Sequence, residues 1–219
     1  MSIFQELNPK LVKALDKLNI TEPTDIQQEA IPVVLDGLDV MASAETGSGK
    51  TAAFVLPILE RLLAKKAPNS GTRVLILAPT RELARQIHKQ TMDLAKFTGI
   101  QAGLITGGEE FKVQRAAMRK NPEIIIGTPG RILDHSQQGA TDFDDLEFLV
   151  LDEADTMCDM GFLPDVRRIL EQIPAKRQTL FFSATMPAEI RSLAVNILKD
   201  PMTVQIGAIA PAKTVSHAL

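Results

Sequence analysis

The sequence predicts an α/β domain, with an open, mostly parallel sheet and helices on both faces. Three observations carry this expectation. Short runs rich in Val, Ile, Leu and Phe recur along the chain: DVMAS (39–43), RVLILA (73–78), AGLIT (102–106), EIIIG (123–127), EFLVLD (147–152), TLFFS (179–183) and MTVQI (202–206). Several of these runs are apolar throughout, which suits strands covered on both faces. The connections between them are long and carry helical periods, as right-handed crossovers between parallel strands require.

Taken in order, the run at 39–43 leads into AETGSGKT and then a helical stretch, PILERLLAKK, from Pro57. Pro57 is expected to kink that helix or shorten its first segment. The run at 73–78 leads into PTRELA and a helix over TRELARQIHKQTMDLAKF, with Leu83, Ile87, Met92 and Leu94 on its apolar face. GGEE follows the third run, with a helix over FKVQRAAMRK. TPGR follows the fourth run and DEAD the fifth, with a helix over LPDVRRILEQI. SAT follows the sixth, with a helix over PAEIRSLAVNIL. Residues 1–206 are expected to form one domain. The tail at 207–219, GAIAPAKTVSHAL, reads as a linker towards a further domain.

Composition narrows the class. A chain of 219 residues suffices for one large α/β domain. No apolar stretch approaches a membrane span, and MSIFQELNPK does not resemble a signal peptide. Cys158 is the only cysteine, which excludes an internal disulfide framework and fits a reducing, cytoplasmic setting. His88, His135 and His217 have no metal-ligand spacing. The net charge of −3 means that any basic footprint must be local.

Ligands of an open parallel sheet bind at the carboxyl ends of its strands. Six consecutive runs end there in small, polar or turn-forming residues, more than solvation of loops explains. AETGSGKT is the most specific. Gly47 and Gly49 can take backbone angles closed to other residues, so that N–H groups, Ser48 included, face a polyphosphate at a helix N-terminus. Lys50 would reach the β and γ phosphates, and Thr51 would offer its hydroxyl to Mg²⁺. Ala44 stands where the strict phosphate-loop pattern has glycine.

Asp152, Glu153 and Asp155 end the fifth run. Burying them there is costly without a cation. Asp152 would hold Mg²⁺, partly through water, and Glu153 would orient or deprotonate an attacking water. Asp155 would accept hydrogen bonds from Ser183 and Thr185. Acids stabilising a helix N-terminus are the competing explanation.

These motifs, in this order, resemble the DEAD-box family of ATP-dependent RNA helicases, in the first RecA-like domain, over almost the whole chain. AETGSGKT, with its Ala44 and Thr46, is similar to the family's first motif, and EPTDIQ (22–27) to its adenine-reading motif. The resemblance implies that Gln27 reads the adenine edge, that Thr24 supports that loop and that Phe4 packs against it. It implies RNA contacts, mainly to the sugar–phosphate backbone, from Pro79, Thr80 and Arg81, from Gly107 and Gly108, and from Thr128, Pro129, Gly130 and Arg131. Little sequence specificity would follow. Arg131 has a second reading as a structural arginine paired with an acid.

The chain departs from the family pattern at Ile20, where a stacking aromatic is common, at Asn19, where glycine is common, and at Thr156, where arginine is frequent. Within the family it resembles the bacterial RhlE-type branch. The function so implied is RNA-stimulated ATP hydrolysis coupled to local unwinding, by a monomer using ATP and Mg²⁺. A second RecA-like domain in cis would supply arginines for the transferring phosphate. The alternative is an ATP-gated RNA clamp.

Overall fold

The computed structural model describes residues 2–43, 47–65 and 71–205. All seven expected strands form, each four or five residues long: β1 (Val40–Ser43), β2 (Val74–Leu77), β3 (Ala102–Ile105), β4 (Ile124–Gly127), β5 (Phe148–Leu151), β6 (Gln178–Phe182) and β7 (Met202–Gln205). They make one sheet in the order β3-β4-β2-β5-β6-β1-β7. Every pairing is parallel, so the sheet is more uniform than the sequence required. The tail at 207–219 lies outside the described residues.

Why the strands read as unbroken apolar runs is now visible. Side chains alternate between the two faces of a strand, and here both faces are covered. In β2, Val74 and Ile76 join one core and Leu75 and Leu77 the other. The first core is closed by α1 (Pro9–Lys17), α2 (Asp25–Leu35), α3 (Lys50–Ala64) and α4 (Arg81–Leu94). The second is closed by α5 (Phe111–Met118), α6 (Pro129–Gln137), α7 (Ala154–Asp159), α8 (Leu163–Leu170) and α9 (Ala188–Ile197). The first half of the chain therefore covers one face and the second half the other. All strands point the same way, so their following loops gather on one edge.

Several local expectations are corrected. α3 begins at Lys50 and runs through Pro57, which neither stops nor restarts it. A proline inside a helix costs about 3 kcal/mol. Burial of Phe54, Val55, Leu56, Ile58, Leu59 and Leu62 around it offsets that cost, since each large apolar side chain contributes about 1.5–3 kcal/mol. The buried face of α4 is Ala84, Ile87, Thr91 and Leu94, whereas Leu83 and Met92 are only half-buried. The helices α1, α2 and α6 have no counterpart among the sequence expectations, and α7 begins where the acids were weighed as a helix N-terminus.

Asn19 explains its own departure from glycine. It follows α1 with φ 56°. Ile20 N–H donates to Leu15 O at 3.0 Å and Asn19 N–H to Asp16 O at 3.1 Å, a Schellman closure. Asparagine tolerates the left-handed region better than most residues. Ile20 is half-buried against the first core, and Phe4 lies in the same core as Ile26.

Candidate functional site

The edge formed by the carboxyl ends of β1, β5 and β6 carries the first cluster. Gly47 and Gly49 both have positive φ, 86° and 92°. Gly49 is the N-cap of α3, so Lys50 opens the helix with the macrodipole behind it. Glycine is required at 49 on a second count. A Cβ there would lie 2.5 Å from Gln27 Nε2 and 2.9 Å from Thr24 Oγ1. Lys50 is buried, Ser48 and Thr51 are half-buried, and Ala44 and Thr46 lie outside the described residues.

Gln27 is seated against this loop. Its Oε1 accepts from Thr24 N–H at 3.0 Å and its Nε2 donates to Gly49 O at 3.1 Å. The first bond ties the start of α2, and the second spans 22 residues to the phosphate loop. An amide has two acceptor sites and two hydrogens. Gln27 therefore keeps one of each for a ligand while it holds Thr24 and Gly49.

Asp152 is the first residue after β5, at 2% exposure. Its backbone N–H continues the ladder to Leu77 O at 3.0 Å. Burial pushes its carboxyl up to about 6, against the pull of Lys50, and Glu153 and Asp155 push it further. Its Oδ1 is buried without a hydrogen-bond partner among the described residues. An orphaned carboxylate oxygen beside a lysine and a phosphate-type loop suits a divalent cation. Among the described residues no cluster of three or more His, Cys, Asp or Glu could hold a metal. The remaining ligands of Mg²⁺ would have to be phosphate and water, as that ion prefers.

Glu153 stands in the left-handed region, φ 53° and ψ 54°, as the N-cap of α7. A glutamate held there stores about 1–3 kcal/mol of strain, which persists where surrounding structure imposes it. β5 and its Asp152 hold one side of the turn and the packed α7 the other.

Asp155 meets the SAT loop as anticipated, with one change of partner. Its Oδ2 accepts from Thr185 N–H at 2.8 Å and Thr185 Oγ1–H at 2.9 Å. Ser183 Oγ instead accepts from Asp155 N–H at 3.1 Å and donates to Thr185 O at 2.7 Å. Burial would raise the Asp155 carboxyl, but the Thr185 donors, helped by Thr156 N–H and the Ser183 hydroxyl, outweigh it and hold the group below its usual range. Asp155 thus joins the end of β5 to the end of β6 by a closed ring of hydrogen bonds.

A second cleft opens further along the same edge. It has a volume of about 550 Å³ and is lined by Pro79, Thr80, Arg81, Gly107, Thr128, Gly130 and Arg131. Three loops separated in sequence thus deliver all their named residues but Gly108 and Pro129 to one lining. Arg81 lies over the glycine pair: a Cβ on Gly108 would be 2.1 Å from Arg81 Nη1. Thr80 caps α4 by accepting from Leu83 N–H at 3.1 Å, which leaves its hydroxyl hydrogen for a ligand. Pro129 is buried at the first position of α6 and shapes the turn from within. Asp134, Met160 and Phe162 also line the cleft. The sequence reading missed them because nothing local in their segments points to this edge.

The reading of Arg131 as paired with an acid is corrected. Its Nε donates to Gln114 Oε1 at 3.2 Å and its Nη2 to Glu109 O at 2.7 Å. Its guanidinium lies 5.2 Å from the centre of the Phe111 ring. Among the described residues, the salt bridges are Lys65–Glu147, Arg73–Glu147 and Arg85–Glu109, and Arg131 is in none.

Comparison with known proteins matches these features as a set. Residues 24–193 match the family model described as DEAD/DEAH box helicase. The chain is 46% identical over 205 residues to the ATP-dependent RNA helicase DeaD of Buchnera aphidicola subsp. Schizaphis graminum, covering 93% of this chain and 33% of that protein. It is 47% identical over 202 residues to DEAD-box ATP-dependent RNA helicase 28 of Arabidopsis thaliana, covering 91% and 26%. A crystal structure of a DEAD box protein from the hyperthermophile Methanococcus jannaschii superposes with a TM-score of 0.85 at 38% identity, covering 91% of this chain and 54% of that one. The chain spans about a third or less of the length of these curated relatives.

Proposed function

From the premise that this chain belongs to the DEAD/DEAH box helicase family, we propose that it is the ATP-binding RecA-like domain of an RNA helicase. It hydrolyses ATP when RNA is bound and separates short duplexes locally. The observation that carries this reading is the placement of two sites on one sheet edge. The Lys50, Asp152 and Glu153 cluster lies at the ends of β1 and β5, and the cleft of Thr80, Arg81, Thr128 and Arg131 lies at the ends of β2 and β4. β2 and β5 are neighbours in the sheet.

The chemistry follows from these residues. Backbone N–H groups at the start of α3 and Lys50 hold the phosphates of ATP. Asp152 and Thr51 would hold Mg²⁺, which when bound neutralises charge on the β and γ phosphates. Glu153 orients a water and takes its proton as oxygen attacks the γ-phosphorus and the bond to the bridging oxygen breaks. Asp155 keeps the SAT loop docked, so that a movement of one strand end is felt by the next. Thr80, Thr128 and the two arginines bind the backbone of one RNA strand without reading bases.

A second RecA-like domain in cis completes the reading, with arginines that meet the transferring phosphate. A monomer in a reducing, cytoplasmic setting fits the lone Cys158, which is a free thiol. The RhlE-type branch rests on sequence resemblance alone. The test is ATP turnover with saturating single-stranded RNA or DNA, by residues 1–219 alone and joined to a second RecA-like domain. RNA-selective stimulation is expected in the joined protein and turnover near background in residues 1–219. Equal stimulation by DNA, or none by RNA, rejects the proposal.

Base choice gives a further expected result. Gln27 can accept from the adenine amino group and donate to N7, whereas guanine presents an acceptor in place of that amino group. ADP is expected to bind at least about tenfold more tightly than GDP, and Gln27→Ala to erase most of the difference. Ile20 in place of an aromatic implies modest absolute affinity. Equal ADP and GDP affinities in the unmodified protein, measured by calorimetry, would refute this role.

A further inference from the structure

Gln114, on α5, is 2% exposed and saturated. Its Nε2 donates to Thr106 O at 2.6 Å and approaches Glu109 Oε2 at 3.4 Å. Its Oε1 meets Arg131 Nε at 3.2 Å and His135 Nε2 at 3.0 Å. The orientation of the amide follows from its partners. Arginine can only donate, so the oxygen faces Arg131, and a carbonyl can only accept, so the nitrogen faces Thr106. His135 Nε2 must then carry a hydrogen.

His135 is fully buried and stacked on Phe111, with ring centres 3.9 Å apart and planes 18° apart. Burial, then the charge of Arg131, lowers its imidazole to about 4, so the ring is neutral at physiological pH. Arg131 thus sits against two neutral groups, an amide and an aromatic ring, and a backbone carbonyl. Its Nη1 has no hydrogen bond among the described residues.

We infer that Gln114 is a positioning residue for the cleft: it holds Arg131 through Nε with a neutral acceptor, so that the guanidinium is fixed in direction without being paired to an acid, although Asp134 lines the same cleft and the Glu109 carboxylate faces the Gln114 amide. The same amide fixes Thr106, immediately before Gly107 and Gly108, so one side chain registers two of the three cleft loops. This rests on the reading of the cleft as an RNA site. A glutamate at 114 would grip Arg131 at least as firmly, but would neutralise it and leave Thr106 O without its donor.

The discriminating variant is therefore Gln114→Glu, which is nearly isosteric. If Gln114 only packs and bonds, affinity falls through the lost donor to Thr106 O, but the dependence of affinity on salt stays as it was, because the acceptor for Arg131 and His135 remains. If it positions an unneutralised charge, binding of a fluorescent oligouridylate should weaken about tenfold. The slope of log affinity against log salt should then flatten by about 0.7, one phosphate contact on a single strand. An unmodified slope in a Gln114→Glu protein that melts cooperatively, whatever its affinity, would overturn the inference. Should that variant not fold, Arg131→Lys tests the same geometry. Lysine keeps the charge but has no Nε to be held, and is expected to bind RNA as weakly as Arg131→Gln. Unmodified affinity in Arg131→Lys overturns the inference as well. If the unmodified chain shows no salt-dependent RNA binding, the reading of the cleft itself falls, and this inference with it.

Discussion

Replacing Glu153 by glutamine is expected to leave nucleotide bound and to lower ATP turnover by about 10²–10⁴-fold, the contribution of a positioned general base. The backbone at 153 is already committed to φ 53°, imposed by β5 on one side and α7 on the other. Glutamine has the same shape and keeps that turn, so the fold and the phosphate loop should not change. What is lost is the capacity to take a proton from water. Lys50→Ala is the complementary case. It removes the cation at the start of α3 and should weaken triphosphate binding itself. The check pairs steady-state turnover under saturating RNA, in the joined protein, with binding of a fluorescent, non-hydrolysable ATP analogue. Near-normal turnover in Glu153→Gln would remove Glu153 from the mechanism. Normal ATP binding in Lys50→Ala would remove Lys50.

Asp152→Asn is expected to stabilise the nucleotide-free domain while weakening its Mg²⁺-dependent nucleotide binding. The sign follows from the carboxyl at about 6, above its ordinary 3.8. A group whose folded value is raised costs nothing below the unfolded value, because it is protonated in both states. The cost grows as pH rises from about 4 to about 6 and is complete above that. At neutral pH it is on the order of 3 kcal/mol, which corresponds to several degrees in melting temperature for a domain of this size. Asparagine removes the charge and with it the cost. The comparison is a series of thermal melts in EDTA from pH 4 to 8. The two proteins should melt together at the acid end and separate through the window from 4 to 6. Parallel melting curves across the series would show that the carboxylate is not destabilised by its burial. A site that costs stability when empty and recovers it with a bound cation is what function requires of a buried aspartate.

The legible part of this protein lies where one segment carries its own signal. Unbroken runs such as Ile124-Ile125-Ile126 could only be strands covered on both sides, because alternate side chains face opposite ways. Gly47 and Gly49 announced positive φ, and both have it. Asp155 facing Thr185 was legible as a buried acid needing donors, which the SAT loop supplies, and the pairing of β5 with β6 brings the two together. α1 was signalled by Asn8, which caps Lys10 N–H at 3.1 Å, followed by Pro9 at the first helical position. That signal is local, yet the sequence expectations hold no helix there, whereas the helix N-terminus expected behind Gly49 is the start of α3. In α4, the long apolar residues Leu83 and Met92 drew the buried face away from Ala84 and Thr91.

By itself the sequence determined the fold class, the strand segments, the phosphate loop and the acidic strand end, since each depends on periodicity or on a few adjacent residues. Tertiary structure alone decided the order β3-β4-β2-β5-β6-β1-β7, and with it every polar contact between distant segments. Gln27 reaching Gly49, Ser183 accepting from Asp155 N–H while it donates to Thr185 O, and Arg131 held by Gln114 and the Glu109 backbone carbonyl instead of an acid are of this kind. So is the presence of Met160 and Phe162 in the cleft with Arg81 and Arg131. The physical reason is range. Backbone periodicity is set over a few residues, whereas a hydrogen bond holds only within about 3.5 Å, and which distant groups come that close depends on the crossovers that lay each strand beside its neighbour.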